Sequence, residues 1–169
     1  MDSIIQGIAI YALPVIFAIT LHEAAHGYAA KHFGDFTAHN EGRISLNPIR
    51  HIDPVGTILV PLSLFIISKI TMGAGFLFGW AKPVPVNFSN LRHPKRDMLW
   101  VAVAGPSANL LMAILWAVVI KLAIAVPESN LAKPAVLMGI AGIEINIILM
   151  VLNLLPLPPL DGGRMAVSL

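Results

Sequence analysis

The sequence predicts an all-α integral membrane protein, a polytopic helical bundle with a re-entrant hairpin and short cytoplasmic strands. Three observations predict it. Hydrophobic residues make up 57% of the 169-residue chain and charged residues only 12%, about half the charged share of a soluble domain. The apolar residues fall into long, nearly uncharged runs at about 4–30, 98–126 and 134–155, and a helix needs roughly 20 such residues to cross a bilayer. The basic residues gather in the loops between these runs. Residues 1–169 read as a single domain, with no internal repeat and no low-complexity tract.

The elements follow in chain order. The first run begins after Asp2 without a basic leader and continues into His22 and Glu23, so it reads as a retained span rather than a signal peptide. It extends to about Phe33 as one helix, with a kink expected at Pro14, which lacks an amide hydrogen. Gly34-Asp35 ends it, and short strands are expected within Phe36–Leu46. Residues 54–80 are apolar but interrupted by Pro54, Gly56, Pro61, Lys69 and a glycine-rich run from Gly73 to Gly79. Each half is about 12 residues, too short for a comfortable span, so the segment reads as a re-entrant loop or thin hairpin. Ala81–Asn87 alternates small apolar residues with prolines and reads as an edge strand. The runs 98–126 and 134–155 are the second and third spans, and Pro156, Pro158 and Pro159 break the last one before Asp161-Gly162-Gly163.

Charge orients the bundle. Lys31, Arg43, Arg50, Lys82, Arg92, Lys95 and Arg96 flank the first loop and the stretch before the second span, whereas Lys133, with Lys121 nearby, is all that accompanies the last loop. Basic loops stay cytoplasmic. The pI of about 9.2 therefore reflects topology and the lipid bilayer, and no nucleic-acid partner is expected. The absence of cysteine excludes disulfides and thiolate metal sites.

His22-Glu23-Ala24-Ala25-His26 matches H-E-x-x-H. On a helix the two histidines share one face about 6 Å apart along the axis. Two imidazoles so placed can bind one Zn²⁺, while Glu23, pointing off that face, can take a proton from a water on the metal. A chance match is costly here, because each ionisable group in an apolar span costs at least about 2.5 kcal/mol to insert. Catalytic zinc usually has a third protein ligand, and two residues compete for that place. His32 has metzincin spacing, but Ala29 stands where the turning glycine is needed, and a continued helix puts His32 about 15 Å from His22. Asp161 follows the third span between Leu160 and two glycines; it can complete the site or mark a plain turn.

The H-E-x-x-H helix, the later N-x-x-P-x-P-x-x-D-G segment at Asn153–Gly162, and their order resemble the site-2 protease family of intramembrane zinc metalloproteases. Gly105-Pro106-Ser107-Ala108-Asn109 resembles that family's G-P-x-x-N motif. Gly79–Asn87 resembles a segment of its compact bacterial members. The likeness covers about residues 15–165. It implies a zinc endopeptidase that cleaves within or near membrane spans of protein substrates, with His22, His26 and Asp161 as ligands and Glu23 as base. It implies an oxyanion role for Asn153 and a place lining the site for Asn109. It also implies a further helix after Gly163, so a truncated chain is expected. Strand addition along Pro83–Val86 would hold an unwound substrate.

Other residues read more plainly. Asn146 is expected to bridge helices. Glu144 is expected as a buried neutral carboxyl or a partner of Lys121, and His39, His51 and His93 as solvated loop residues. Trp100 fits an interfacial anchor. A metal transporter would also place His and Asp in spans, but it needs no glutamate within the motif and usually shows repeats. A noncatalytic scaffold would not keep the full ligand and base set. Substrate identity and oligomeric state are not legible in the sequence.

Overall fold

A computed structural model describes residues 2–72 and 79–169. Among the described residues six α-helices carry the fold: α1 Asp2–His32, α2 Thr37–Asn40, α3 Val60–Met72, α4 Pro94–Ala125, α5 Ala132–Asn153 and α6 Asp161–Ser168. Three helical stretches among these residues, Ala9–His32, Pro94–Ala125 and Ala132–Asn153, are long and apolar enough to cross a membrane. The chain is a multi-pass membrane protein.

Helices α1, α4 and α5 pack against one another in all three pairings, and α6 lies against α4. Their buried contacts are made largely by small residues, Ala18, Ala24 and Ala30 on α1, Ala102 and Ala113 on α4, and Ala141 on α5. Lipid tails are as apolar as any side chain, so membrane helices associate through close backbone approach rather than hydrophobic exclusion. Gly139 and Gly142 of α5 show this directly: a Cβ there would lie 2.3 Å from Ile120 and 2.4 Å from the Trp116 ring. Large apolar side chains, among them Leu111, Ile114 and Leu122 on α4 and Ile148 on α5, point outward.

Helix α1 runs through the buried Pro14 without a break and ends as the sequence reading expected. Gly34 adopts φ +105°, and the Asp35 amide turns back to the Ala30 carbonyl at 2.9 Å, a glycine-terminated helix end. This drops Asp35, fully buried, into the loop beyond. There its carboxylate accepts from the amide and hydroxyl of Thr37, the Asn87 amide and the Asn90 side chain. Burial pushes this carboxyl up, but the four hydrogen bonds outweigh it and hold the group below its usual range.

That carboxylate also explains a correction. Strands were expected within Phe36–Leu46, yet Thr37–Asn40 forms a helical turn, nucleated by Asp35 capping Thr37. Ala81–Asn87 is not a strand either, and no strand occurs among the described residues. Pro83 and Pro85 have no amide hydrogen to give a ladder, and the amides of Lys82, Val84 and Asn87 bond instead to the His51 carbonyl, Glu23 and Asp35.

The apolar segment at 54–80 begins with a wide π-helical turn, Pro54–Leu59, capped by Asp53, and continues into α3. The Trp80 amide reaches the Gly56 carbonyl at 3.0 Å, and the Thr57 hydroxyl reaches the Trp80 carbonyl at 2.8 Å. The two ends of the segment therefore meet. The tip expected around Lys69 to Gly75 falls partly outside the described residues.

Candidate metal centre

The site lies where α1, α4 and the start of α6 converge. His22 and His26 are 7% and 4% exposed and Asp161 is 6% exposed, so all three polar groups are out of water. The Nε2 atoms of His22 and His26 are 3.1 Å apart, and each stands 3.2 and 3.1 Å, respectively, from Asp161 Oδ2. Three atoms thus form a nearly equilateral triangle. Zinc bonds of 2.0–2.2 Å at tetrahedral angles place ligand atoms about 3.3 Å apart, which matches this triangle and leaves a fourth position open.

The hydrogen-bond network determines which ring nitrogens carry protons. The Gly142 carbonyl can only accept, so Asn146 donates its amide there at 2.8 Å. Asn146 Oδ1 then accepts from Asn109 Nδ2 at 2.9 Å, and Asn109 also donates to the Ala18 carbonyl. Asn109 Oδ1 is left to face His22 Nδ1 at 2.6 Å, so that nitrogen must donate. The Val101 carbonyl likewise accepts from His26 Nδ1 at 2.7 Å. In the neutral imidazoles both Nε2 atoms therefore present bare lone pairs to the carboxylate and to each other. Three buried acceptors at this spacing repel one another unless a cation joins them. Such outer-shell acceptors are how metal-binding histidines are oriented, and the donor set fits zinc.

Local sequence brings the three together. Gly105 is the close-approach point of α4 on α1: a Cβ there would lie 2.3 Å from His26 Nε2 and 2.6 Å from His22 Cε1. Gly162 and Gly163 are helical, in the first turn of α6, rather than in an open turn. Side chains there would meet the Leu154 and Leu155 carbonyls and the Pro158 nitrogen within 2.3–2.6 Å. The missing Cβ atoms let α6 fold back on the end of α5 and present Asp161 to the histidines.

Other residues fall outside the triangle. Glu23 is half-buried on the next face of α1, where its Oε2 accepts from the Val84 amide at 2.7 Å. Asn109 is fully buried behind His22. Asn153 donates to the Leu149 carbonyl of its own helix, and no hydrogen bond described here joins it to the three clustered groups. His32 is exposed at the end of an unbroken α1, in keeping with Ala29 replacing a turning glycine. His39 and His93 are exposed, but His51 is buried, its Nε2 donating to the Ser45 carbonyl at 2.8 Å. Glu144 is exposed on α5 and forms no ion pair with Lys121 among the described residues; the two side chains face outward on different helices. Sequence reasoning missed the Val101 carbonyl, which has no side-chain signature, and the dependence of Asn109 on Asn146.

No protein-family model matches the chain, and no solved structure matches it. Curated relatives do. The chain is 41% identical over 157 residues to "Putative zinc metalloprotease YwhC" of Bacillus subtilis, a match covering 90% of this chain and 65% of that protein. It is 28% and 31% identical to proteins named "Putative zinc metalloprotease Rip2" from Mycolicibacterium smegmatis and Mycobacterium tuberculosis, with 87% of this chain and 52% of each relative covered. The chain thus spans between half and two thirds of the length of these relatives. By this homology the chain is related to proteins named putative zinc metalloproteases, and its clustered His22, His26 and Asp161 offer the ligand atoms a zinc site needs.

Proposed function

We propose that this chain carries the catalytic centre of a zinc-dependent intramembrane endopeptidase, acting on transmembrane segments of protein substrates. The observation that carries the reading is the triangle of bare donor atoms on His22, His26 and Asp161, buried beside Glu23. The names of the relatives point to the same metal and reaction.

Zinc, when bound there, would supply Lewis acidity that polarises a scissile carbonyl and eases deprotonation of water. The chain's own residues do the rest. Glu23 accepts the proton of the attacking water on a carboxylate oxygen and returns it to the leaving amine. Asn109 holds His22 in the Nδ1-protonated tautomer, and the Val101 carbonyl does the same for His26. Asn153 would stabilise the oxyanion, which requires its amide to leave the Leu149 carbonyl. A substrate helix must unwind first, because its carbonyls are already hydrogen-bonded.

The topology follows from the same site. His22 and His26 lie toward the C-terminal end of the first span, and Asp161 follows the last, so both places sit near one membrane face. Spans α4 and α5 make one out-and-back pass. Residues 54–80 must then return to the side they left, which the meeting of Trp80 with Gly56 and Thr57 supports. The basic loops put that face in the cytoplasm.

Zinc analysis of purified protein beside cleavage of synthetic membrane segments tests the function. One zinc per chain and cleavage abolished by Glu23→Gln are expected. Metal uptake into vesicles that survives Glu23→Gln, without cleavage, would replace the enzyme with a transporter. Impermeant labelling of cysteines introduced at positions 45, 90 and 129 tests the topology. Labelling of 45 and 90 from opposite sides would overturn it.

A further inference from the structure

The segment Trp80–Asn87 lies against α1 and is tied down along its length. Trp80 bonds to Gly56 and Thr57, the Lys82 amide to the His51 carbonyl, and the Asn87 amide to Asp35. Between these ties, Arg43, 9% exposed, donates from Nη2 to the carbonyls of Lys82 at 3.0 Å and Pro83 at 3.2 Å. Pro83 and Pro85 have no amide hydrogen. Val84 therefore supplies the one backbone donor of that tripeptide, and it goes to Glu23 Oε2 at 2.7 Å.

The side chain of Val84 is placed by the same helix. Gly27 is one helical turn after Glu23, on the same face of α1. A Cβ on Gly27 would stand 3.3 Å from Val84 Cγ1 and 2.8 Å from Ile44 Cγ1. The missing side chain lets Val84, 3% exposed, settle close enough for its amide to reach the carboxylate. Arg43 sets the segment's position along the helix, and Gly27 sets its height above it.

We propose that the Val84 amide, held in register by Arg43 and Gly27, is the positioning group for Glu23. It ties one carboxylate oxygen and leaves the other to exchange protons with water. This rests on Glu23 being the base of the proposed endopeptidase. Arg43 and Gly27 act through Val84 and touch no reacting atom.

Hydrogen–deuterium exchange tests the contact without any turnover. The prolines leave only Lys82, Val84, Val86 and Asn87 as exchanging amides within residues 82–87, so one slow hydrogen can be counted. Glu23→Ala should accelerate one of them by at least about 10-fold, since a buried amide hydrogen bond is lost. Unchanged exchange overturns the proposal. For the working enzyme, Arg43→Ala and Gly27→Ala should each keep one zinc per chain and leave KM within about two-fold while kcat falls about 10- to 100-fold, the scale of a small misplacement. Arg43→Lys, able to reach one carbonyl, should recover part of kcat. A faster Val84 exchange with unchanged or increased kcat in both variants would make the segment a packing strap or a latch, and would overturn the positioning role. A wild-type protein that shows the slow Val84 hydrogen but neither binds zinc nor cleaves would overturn the base assignment itself.

Discussion

His22 Nδ1 and Asn109 Oδ1 stand 2.6 Å apart, across two helices and 87 positions of sequence. Asn109 is in turn held by Asn146 and the Ala18 carbonyl. Removing such an outer-shell partner typically costs 10–100-fold in metal affinity. Asn109→Ala should weaken zinc binding by about that factor in chelator competition, and Asn146→Ala by less. Wild-type affinity in Asn109→Ala would mean that the His22 tautomer is set elsewhere.

Asp161→Ala should lose most of its zinc by elemental analysis, because the two histidines alone leave the triangle incomplete. His32→Ala should keep a full complement, since its side chain is exposed at the end of α1. The reverse pattern would restore His32 as the third ligand.

Gly105→Ala should fold but bind zinc poorly. Its methyl would stand 2.3 Å from His26 Nε2 and 2.7 Å from His22 Nε2, so the imidazoles must tilt away or α4 must shift. A chelator titration in detergent with helicity monitored in parallel separates lost metal from lost fold. Normal zinc content would show that the helices have room to part.

Asn153→Ala should keep its zinc and slow cleavage by roughly 10²–10³, the scale for losing one oxyanion donor. Unchanged turnover at saturating substrate would leave Asn153 only its bond to the Leu149 carbonyl.

Asp35 makes stability depend on pH. Its folded carboxyl titrates below its usual value, so the folded state favours the ionised form. The contribution is complete above the unfolded value, about 3.9, and is lost as pH falls through the lower, folded value. Asp35→Asn turns a side-chain donor toward the Thr37 and Asn87 amides and should cost about 1–3 kcal/mol at pH 7. Denaturation of both proteins in detergent should give curves that converge as the pH drops below about 4. A constant difference down to pH 3 would show that the carboxylate's charge is not what holds the loop.

The spans were legible because a bilayer imposes length and apolarity on any helix that crosses it, and His22, Glu23 and His26 because one helix turn places them without help from the rest of the chain. Asp161 stood out as a carboxylate beside a span, but the residues alone left it between ligand and turn. Gly162 and Gly163 looked like turn formers, whereas their use is steric: they let α6 close onto the end of α5. The strands expected around Phe36–Leu46 and Ala81–Asn87 failed because side chains, Asp35, Arg43 and Glu23, took up the backbone groups that a ladder would have used. The sequence by itself determined a membrane bundle and the placing of two histidines and a glutamate within one helical turn, since these depend on hydropathy and helical period. Only the tertiary structure decided that Asp161 meets the histidines, that Asn146 orients His22 through Asn109, and that Val84 holds Glu23. Those contacts join residues at least 37 positions apart, and backbone donors and missing Cβ atoms leave no periodic trace in a sequence.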